Sequence, residues 1–381
     1  MVNDVKLLQI LRSDNRTYSD IAVSIGMSPS GLKDRIRRLL KKNLLKREEI
    51  IGQQVGRAER LKKQAIEREE NERLKDENSD LKLRLDTALQ IQAAQKDWTK
   101  IPEYKGTGVA VPLVMFSDWH MEEVVRKGEV PGCDNTYNPE IAKKRAFKAA
   151  QGAAYLINNS RYLGKIDTAV LWLGGDFISG HIHEELMESN GMSPIKAVTN
   201  LAQPALAAAI DHILSQCNLS KLIIVCNYGN HGRITMKPRH KTGCDHSLEW
   251  MMYQALKREW RHEKRIEWQI ADAYQVYYDI FDTTLRFHHG DNVAYYGGVG
   301  GLSIPMLKAI AQWNTIKHCD LDVVGHYHQR RDYGSVLING SLVGYGAYSL
   351  AIKATYERPQ QQFAVIQPRR GKTLAAEIFC D

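Results

Sequence analysis

Five short apolar runs, each followed by side chains that can bind a metal ion, constrain the fold of this 381-residue chain more than any other feature. The runs read AVPLVMF, TAVLWL, KLIIVC, TLRF and LDVV. Apolar runs of this length are typical of strands that are buried on both faces of a sheet. Because ligands collect where the strands of an open sheet end, we expect the five ends to meet in one crevice.

The polar side chains that follow the runs are carboxylates, an amide and imidazoles: Asp118, His120, Asp176, Asn230, His231, His288, His289, His326 and His328. One such cluster alone is more often a turn with a solitary histidine, but five in series favour a metal centre. This mixture of ligands suits Mn²⁺, Fe²⁺ or Zn²⁺, and the lack of thiolates argues against a structural zinc site. We expect two divalent ions, with Mn²⁺ as the first choice and Fe²⁺, Zn²⁺ or Mg²⁺ as the others.

The order of these motifs resembles that of the calcineurin-like metallophosphoesterases over about residues 110 to 340. The family pattern is present as Asp118-Trp119-His120, Gly175-Asp176, Gly229-Asn230-His231, His289 and Gly325-His326-Tyr327-His328. The resemblance implies an α/β (α+β) fold with four α/β/β/α layers, in which two mixed sheets pack together with helices outside. It also implies hydrolysis of a phosphate ester.

Seven side chains match the family's metal ligands, and the resemblance implies two ions: Asp118, His120 and His328 on the first, Asn230, His289 and His326 on the second, and Asp176 between them. His289 is preferred to His288 because the family histidine directly precedes a glycine, and His288 would then point to the opposite face. Two ions about 3.5 to 4 Å apart polarise phosphoryl oxygens and turn a bridging water into a hydroxide that attacks phosphorus in line.

His231 is the expected catalytic residue outside the ligand set, because it could protonate the leaving oxygen or stabilise its charge. The chain departs from the family at nearby positions. Gly232 stands where an acid often follows the histidine, and Ser179 stands where a polar or acidic residue often occurs. The sequence therefore does not identify the group that orients His231.

The N-terminal segment carries most of the positive charge. Eleven Lys and Arg residues against four Asp residues in 1–47 give an excess of seven, close to the net charge of +8 for the whole chain. One predicted helix has an apolar stripe that includes Leu32 and Ile36, and its other faces are basic. Its expected DNA contacts are Lys33, Arg35, Arg37, Arg38 and Lys41.

The stretch from Asp4 to Leu45 closely resembles the DNA-binding winged helix of the leucine-responsive (Lrp/AsnC) regulators, with Ala22, Gly26 and Leu32 at the motif's small, turn and buried positions. The resemblance implies that DNA is a partner and that the second helix of the motif enters the major groove. A small basic helical bundle that contacts protein is the alternative.

We predict three segments: a DNA-binding domain at 1–50, a long helix at 51–100 and a catalytic domain at 101–381. In the long helix, five residues fit alternating positions of a coiled coil: Leu74, Asn78, Leu81, Leu85 and Ala88. Two interpretations remain open, a homodimer that forms through residues 54–97 and a solvated single helix that links the domains.

Composition argues against a membrane protein. No apolar run approaches the roughly 20 residues that cross a bilayer, and Asp4, Lys6 and Arg12 do not fit a signal peptide. The six cysteines are scattered without a CxxC pair, so we expect reduced thiols. We expect a cytoplasmic protein of a bacterial or phage-infected cell.

The fold does not choose among phosphate esters, but a fused DNA-binding domain raises the local concentration of DNA at the active site. The loop GRITMKPRHKTG places cations beside the metals, and they would form a phosphate track or a solvated basic loop: Arg233, Lys237, Arg239 and Lys241. We therefore predict a metal-dependent DNA phosphodiesterase, either an endonuclease or an exonuclease. The alternatives are a phosphomonoesterase or nucleotide phosphatase tethered to DNA, and a non-catalytic transcriptional regulator with an esterase-like sensor domain.

Overall fold

The structure is a computed structural model that describes residues 2–14, 16–50, 66–68, 70–75, 78, 82, 108–294 and 301–381. The chain divides into two compact units, Met1–Ala93 and Ala94–Asp381. Leu74 and Asn78 are helical, whereas the other coiled-coil positions, Leu81, Leu85 and Ala88, lie outside the described residues. Dimerisation through residues 54–97 therefore stays a prediction.

Residues 2–14 and 16–50 of the first unit contain three α-helices, and each begins at a polar residue whose side chain accepts a backbone N–H of the first turn. These N-cap residues are Asn3, Thr17 and Ser28. The helices are α1 (Asp4–Ser13), α2 (Tyr18–Ser24) and α3 (Pro29–Lys41), and a 3₁₀ turn follows at Arg47–Glu49. Gly26 adopts a φ of 68° in the turn between α2 and α3, as a tight helix-turn-helix requires.

The core of this unit is small and comes from the apolar stripes of the three helices, including Leu7, Leu11, Ile21, Leu32 and Ile36. The basic residues of α3 lie outside this core. Residues 2–14 and 16–50 contain no strand, so this part of the chain has the predicted helix-turn-helix without a β-wing.

Two sheets form the centre of the second unit. The first has six strands in the order β11-β10-β1-β2-β3-β4, and the second has five in the order β5-β6-β7-β9-β8. The strands are β1 (Val111–Phe116), β2 (Thr168–Leu173), β3 (Lys221–Cys226), β4 (Ile266–Ile270), β5 (Val276–Ile280), β6 (Thr283–His288), β7 (Leu321–Val324), β8 (Arg331–Asp332), β9 (Val336–Ile338), β10 (Gln360–Gln367) and β11 (Gly371–Phe379). Strands β1 to β4 run parallel, as do β6, β7 and β9.

Helices connect these strands. They are α4 (Pro139–Asn159), α5 (Glu184–Ser189), α6 (Pro194–Ala197), α7 (Gln203–Gln216), α8 (Leu248–Glu259), α9 (Ser303–Trp313) and α10 (Ala347–Ala351). A π-helical turn joins α6 to α7, and no helix among the described residues is long and apolar enough to span a bilayer.

The alternation of side chains along β1 shows the layers. Leu113 and Met115 face the second sheet and share a core cluster with Phe287, whereas Val114 and Phe116 face α4, α7 and α8 in another cluster. A strand with both faces covered must be apolar on both, which explains its unbroken hydrophobic run.

The outer face of the second sheet is covered in the same way. Val324 of β7 and Ile338 of β9 pack against Met306 and Ile310 of α9. Helices therefore flank two packed sheets on both sides, and the predicted four-layer α/β/β/α fold is confirmed. The six thiols are free, as expected.

Candidate metal centre

The ends of β1, β2 and β3 lie in register, because Phe116 pairs with Leu173 and Leu173 pairs with Cys226. The loops that follow these strands carry Asp118, Asp176 and Asn230 to one edge of the first sheet. In the second sheet the parallel strands β6 and β7 end together and carry the histidines. The five strand ends that the sequence singled out thus deliver their side chains to one place.

The first group of side chains comes from β1 and β7. The ligand atoms of Asp118, His120 and His328 all lie within 4.8 Å of one another. The Nε2 atoms of His120 and His328 are 3.0 Å apart, and Nε2 of His328 lies 3.7 Å from Oδ1 of Asp118. The three groups therefore converge on one point that a single ion could occupy.

The second group lies beside the first. The ligand atoms of Asp176, His289 and His326 also lie within 4.8 Å of one another, and Oδ1 of Asn230 is 3.1 Å from Nε2 of His289. Oδ2 of Asp176 is 2.9 Å from Nε2 of His289 and 4.0 Å from Nε2 of His120. Asp176 thus reaches both groups, the position expected of a bridging carboxylate.

The backbone is strained at these residues. Positive φ angles, which cost non-glycine residues about 1 to 3 kcal/mol each, occur at five of the seven expected ligands: Asp118, His120, Asp176, His326 and His328. Such strain persists only where the surrounding structure enforces it, and it clusters at functional sites. The chain therefore bends sharply after each strand to turn these side chains inward.

Hydrogen bonds fix the orientation of the imidazoles. Nδ1 of His289 donates to the carbonyl of Gly174 at 2.7 Å, and Nδ1 of His120 lies 3.0 Å from the hydroxyl of Ser179. A partner on Nδ1 leaves Nε2 as the atom that faces the centre, as in most histidines that bind metals. His288 instead packs against Trp313, with ring centroids 4.9 Å apart, on the other face of the strand.

The electrostatics also suit metal ions. Burial lowers the pKa of His326 to about 4 and that of His328 to about 3, so both imidazoles are neutral at pH 7. Burial by itself would raise the pKa of Asp176, but His289 beside it holds the pKa of that carboxyl well below its usual range. Burial alone would lower the pKa of His289, but the carboxylate of Asp176 raises it well above the usual value, so this imidazole must lose its proton when a cation binds.

The donor set fits two divalent ions. It offers nitrogen and oxygen atoms without thiolate, divided between two adjacent groups that share one carboxylate. Such sets suit borderline first-row ions. We therefore regard the two groups as candidate sites for a pair of divalent metal ions.

His231 lies beside this centre, and its ring centroid is 4.8 Å from that of His120. Its Nδ1 donates to the carbonyl oxygen of Ser179 at 2.8 Å, and its backbone N–H donates to Oδ1 of Asp176 at 2.8 Å. A backbone carbonyl, rather than the acid that Gly232 replaces, therefore orients His231. Its Nε2 remains the atom that can act on a substrate.

Glu249 of α8 holds the Asp176 and Asn230 loops together, and sequence reasoning missed it. Its carboxylate accepts the N–H of Phe177 at 2.6 Å and that of Gly229 at 2.8 Å, and the side chain is fully buried. A β-carbon on Gly232 would lie 2.7 Å from Cγ of Glu249. The chain thus supplies a carboxylate from α8 in the space beside the glycine, a relation that no local pattern indicates.

Glu122 also supports the loop that follows Asp176. One of its carboxylate oxygens accepts the N–H groups of Ser179 and Gly180, both at 2.8 Å. Because Ser179 contacts both His120 and His231, this buried acid fixes the loop that orients both rings. In the sequence, only the position of Glu122 two residues after His120 could have indicated this role.

The predicted basic loop borders the centre. Arg233 and Arg239 line a cleft that also contains Asn230. Arg233 donates to the carbonyls of Asn230 at 2.7 Å and Thr235 at 3.1 Å, so it holds the loop together. The remaining predicted cations are exposed and have no acidic partner within the described part of the chain: Lys237, Arg239 and Lys241.

The five predicted contacts on α3 divide in a similar way. Arg35 pairs with Asp4 of α1 at 2.7 Å, and Arg37 pairs with Asp34 at 3.2 Å. Three other cations are exposed, without an ion pair to any described residue: Lys33, Arg38 and Lys41. These three form the free positive surface of the helix.

A family model described as winged helix-turn-helix DNA-binding matches residues 2–46. The match covers the helix-turn-helix that α2 and α3 form in the structure. Comparison with curated proteins gave no match. The second unit has four α/β/β/α layers. Several solved structures are similar to this chain over about 71% of its length.

One of them is Vacuolar Protein Sorting 29 from Cryptosporidium parvum, with 15% identity over 71% of this chain and 97% of that one, at a TM-score of 0.28. Another is a predicted phosphoesterase from Streptococcus pneumoniae, with 12% identity over 71% and 97% at 0.27. A third is a putative 5′-nucleotidase from Staphylococcus aureus, with 10% identity over 71% and 54% at 0.29. Identities of 10 to 15% with TM-scores below 0.3 support no inference about the chemistry of this chain.

Proposed function

We propose that this protein is a metal-dependent phosphodiesterase that acts on DNA. The observation that carries the proposal is the convergence of two ligand groups on the shared carboxylate of Asp176, in a chain that also bears a helix-turn-helix domain. In this proposal residues 1–50 bind DNA, residues 51–100 connect the domains and residues 101–381 hydrolyse the ester.

The side chains of the centre would hold two ions: Asp118, His120 and His328 the first, Asn230, His289 and His326 the second, and Asp176 both. When bound, the ions supply Lewis-acid polarisation of the phosphoryl oxygens and activate water, and we favour Mn²⁺. The Nδ1 bonds of His120 and His289 keep their Nε2 atoms turned inward.

His231 would act on the leaving group. Its Nδ1 is bound to the carbonyl of Ser179, so Nε2 is left to give a proton to the leaving oxygen or to stabilise its charge. Burial lowers the pKa of His231, and the negative charge of a bound phosphate favours its protonated form.

The cations of the basic loop would bind phosphates on either side of the scissile bond. Lys237, Arg239 and Lys241 are exposed beside the cleft that contains Asn230. Such contacts position a nucleic acid strand without reading its sequence. DNA captured by α3 would supply that strand at high local concentration.

A nucleotide phosphatase is the main rival, because a cleft lined by Asn230, Arg233 and Arg239 can bind a single terminal phosphate as well as a phosphate within a strand. The two functions predict different preferences. A nuclease needs an open track for the strand on both sides of the phosphate, whereas a phosphatase needs only a terminal phosphate.

The test measures Mn²⁺-dependent cleavage of linear, nicked and single-stranded DNA alongside hydrolysis of p-nitrophenyl phosphate and bis(p-nitrophenyl) phosphate. We expect the intact protein to cut DNA and the diester, and Asp176→Ala to cut neither. A variant with Lys33, Arg38 and Lys41 changed to Gln should cut the diester normally and duplex DNA less well. Hydrolysis of the monoester without any cleavage of DNA would refute the nuclease and favour the phosphatase.

A further inference from the structure

Two clefts open beside the metal centre, one next to each ligand group. The first, which we call the basic cleft, contains Asn230 of the second group together with Arg239. The other, which we call the aromatic cleft, contains His328 of the first group together with Tyr345 and Tyr348. Both clefts include tyrosines, but Tyr228 and Tyr274 of the basic cleft are partly buried, whereas Tyr348 of the aromatic cleft is exposed and offers a free ring face beside the centre.

The segment that forms the aromatic cleft exposes an unusual amount of apolar surface. Four large side chains within residues 348–356 are roughly half exposed or more: Tyr348 at 66%, Leu350 at 52%, Ile352 at 47% and Tyr356 at 63%. Contiguous apolar surface of this kind marks a binding site more often than chance exposure does. The partner should therefore present an apolar face.

The backbone on both sides of Tyr348 is anchored at this cleft. The first turn of α10 is fixed because the N–H of Ala347 donates to Glu129 at 3.1 Å. The hydroxyl of Tyr345 closes the segment by donating to the carbonyl of Ala354 at 3.2 Å. An aromatic ring on an anchored helix can stack on a ligand with little loss of conformational entropy.

The position of Tyr348 identifies the occupant. Its ring centroid lies 6.5 Å from that of His328, so a group stacked on it is attached close to whatever the metal centre holds. If the centre holds a DNA phosphate, that group is a neighbouring nucleobase. Nucleobases stack on aromatic side chains regardless of sequence, but a base within a duplex already stacks on its neighbours, so its face is free only in unpaired DNA.

We infer that the aromatic cleft binds an unpaired nucleobase next to the scissile phosphate, stacked on Tyr348, and that single-stranded or frayed DNA is the preferred substrate. This inference rests on the proposed function, because it takes the DNA phosphate to lie at the metal centre. In this arrangement the basic cleft holds the DNA backbone and the aromatic cleft holds a nucleobase.

The experiment compares two oligomers of equal length, a single-stranded DNA and a counterpart in which an abasic tetrahydrofuran replaces every nucleoside. Binding without added metal and Mn²⁺-dependent cleavage are measured with the full chain, Tyr348→Ala and Tyr348→Phe. Tyr348→Ala should raise Kd and KM for the natural oligomer on the order of tenfold without changing kcat. It should not alter either value for the abasic oligomer, and Tyr348→Phe should match the unaltered protein.

Tyr162, which is 71% exposed and lies outside both clefts, supplies the matched control as Tyr162→Ala. Equal effects of Tyr348→Ala on both oligomers, or no effect on either, would overturn the inference. Loss of self-association in Tyr348→Ala, with base-dependent binding intact, would assign the surface to a second copy and also overturn it. Base-dependent binding that needs Tyr348, without cleavage of any DNA, would support a nucleobase site at the aromatic cleft but refute the nuclease, and with it the placement of that base beside a scissile phosphate.

Discussion

The metal centre and helix α3 use charged residues in opposite ways. At the centre four of the seven expected ligands are buried and the other three partly buried, and five of the seven are held at positive φ. On α3 the free cations, Lys33, Arg38 and Lys41, are exposed on a helix with an apolar inner stripe. The buried groups can bind metal ions only in one fixed arrangement. Each exposed cation instead adds a similar increment to DNA affinity, and salt screens that increment.

The largest effect should follow a change at His231. We expect His231→Gln to slow DNA cleavage by about 10²- to 10⁴-fold, because the leaving oxygen of DNA needs a proton. Hydrolysis of bis(p-nitrophenyl) phosphate should fall much less, since p-nitrophenolate leaves without protonation. Steady-state kinetics with both substrates measures the difference, and His318→Gln, on an exposed histidine, is the control. Equal losses on the two substrates would show that His231 is not the proton donor.

A change at Glu249 should have the next largest effect. In the unaltered protein each carboxylate oxygen of Glu249 accepts one backbone N–H, from Phe177 or from Gly229. Glu249→Gln replaces one of these oxygens with an NH₂ group, which cannot accept a hydrogen bond, so one of the two bonds is lost. Because both loops carry expected ligands, we predict a loss of about 10- to 100-fold in metal affinity or kcat. The rates of hydrolysis of DNA and of bis(p-nitrophenyl) phosphate should fall by the same factor, unlike in His231→Gln.

Metal titration and kinetics of Glu249→Gln test this, with Glu188→Gln as the exposed control. Burial raises the pKa of Glu249 to about 7. The experiment is therefore run at pH 8, where the unaltered carboxyl is ionised in the larger part of the molecules. Full activity and metal affinity in Glu249→Gln would show that the two loops do not need this carboxylate.

Changes on α3 should be graded rather than all-or-none. Replacing Lys33, Arg38 and Lys41 with Gln should lower the slope of log affinity against log salt by up to about 2.7 for duplex DNA, at roughly 0.9 per phosphate contact. Hydrolysis of bis(p-nitrophenyl) phosphate should not change. Fluorescence anisotropy over a KCl series provides the slope, and an unchanged slope would place the DNA-binding surface elsewhere.

The basic loop should show a smaller effect of the same kind. Changing Lys237, Arg239 and Lys241 to Gln should raise KM for single-stranded DNA and lower the salt slope by up to about 2.1, at roughly 0.7 per contact. The value of kcat should be retained, because these side chains do not touch the metal ligands. A fall in kcat at unchanged KM would mean that the loop shapes the centre instead of binding the strand.

The smallest expected effect is a difference in stability between two arginine variants of α3. Arg35→Ala removes the ion pair with Asp4 and should lower the free energy of unfolding by at most about 1 kcal/mol. Arg38→Ala removes no ion pair to a described residue and should leave stability unchanged. Denaturant unfolding of both variants tests the contrast, which would fail if Arg38→Ala were the less stable of the two.

The sequence predicted the buried strands and their ends because that information is local, whereas the four layers were implied by the family resemblance. A strand that is covered on both faces must be apolar throughout, as β1 shows, and the residues that follow it must leave the sheet at its edge. The sequence alone therefore assigns Asp118, Asp176 and Asn230 to ends of strands that meet at one crevice. The resemblance to a family added the division into two ion sites.

Features that depend on distant contacts escaped prediction. The positive φ of Asp176 requires packing that no short pattern encodes. Every residue type has the same backbone carbonyl, so the sequence does not indicate that the carbonyl of Ser179 accepts from His231. Glu249 lies 17 residues after Gly232 at the start of an ordinary helix, so only the fold brings them together. Charge patterns likewise could not tell that Arg35 faces Asp4 while Arg38 is free.

Anomalous scattering from crystals grown with Mn²⁺ tests the central claim most directly, because it locates ions without assuming any activity. The account predicts two peaks per chain, one among Asp118, His120 and His328 and one among Asn230, His289 and His326, with Asp176 in contact with both. A single peak, or none at saturating Mn²⁺, would contradict the two-metal centre on which the proposed function rests.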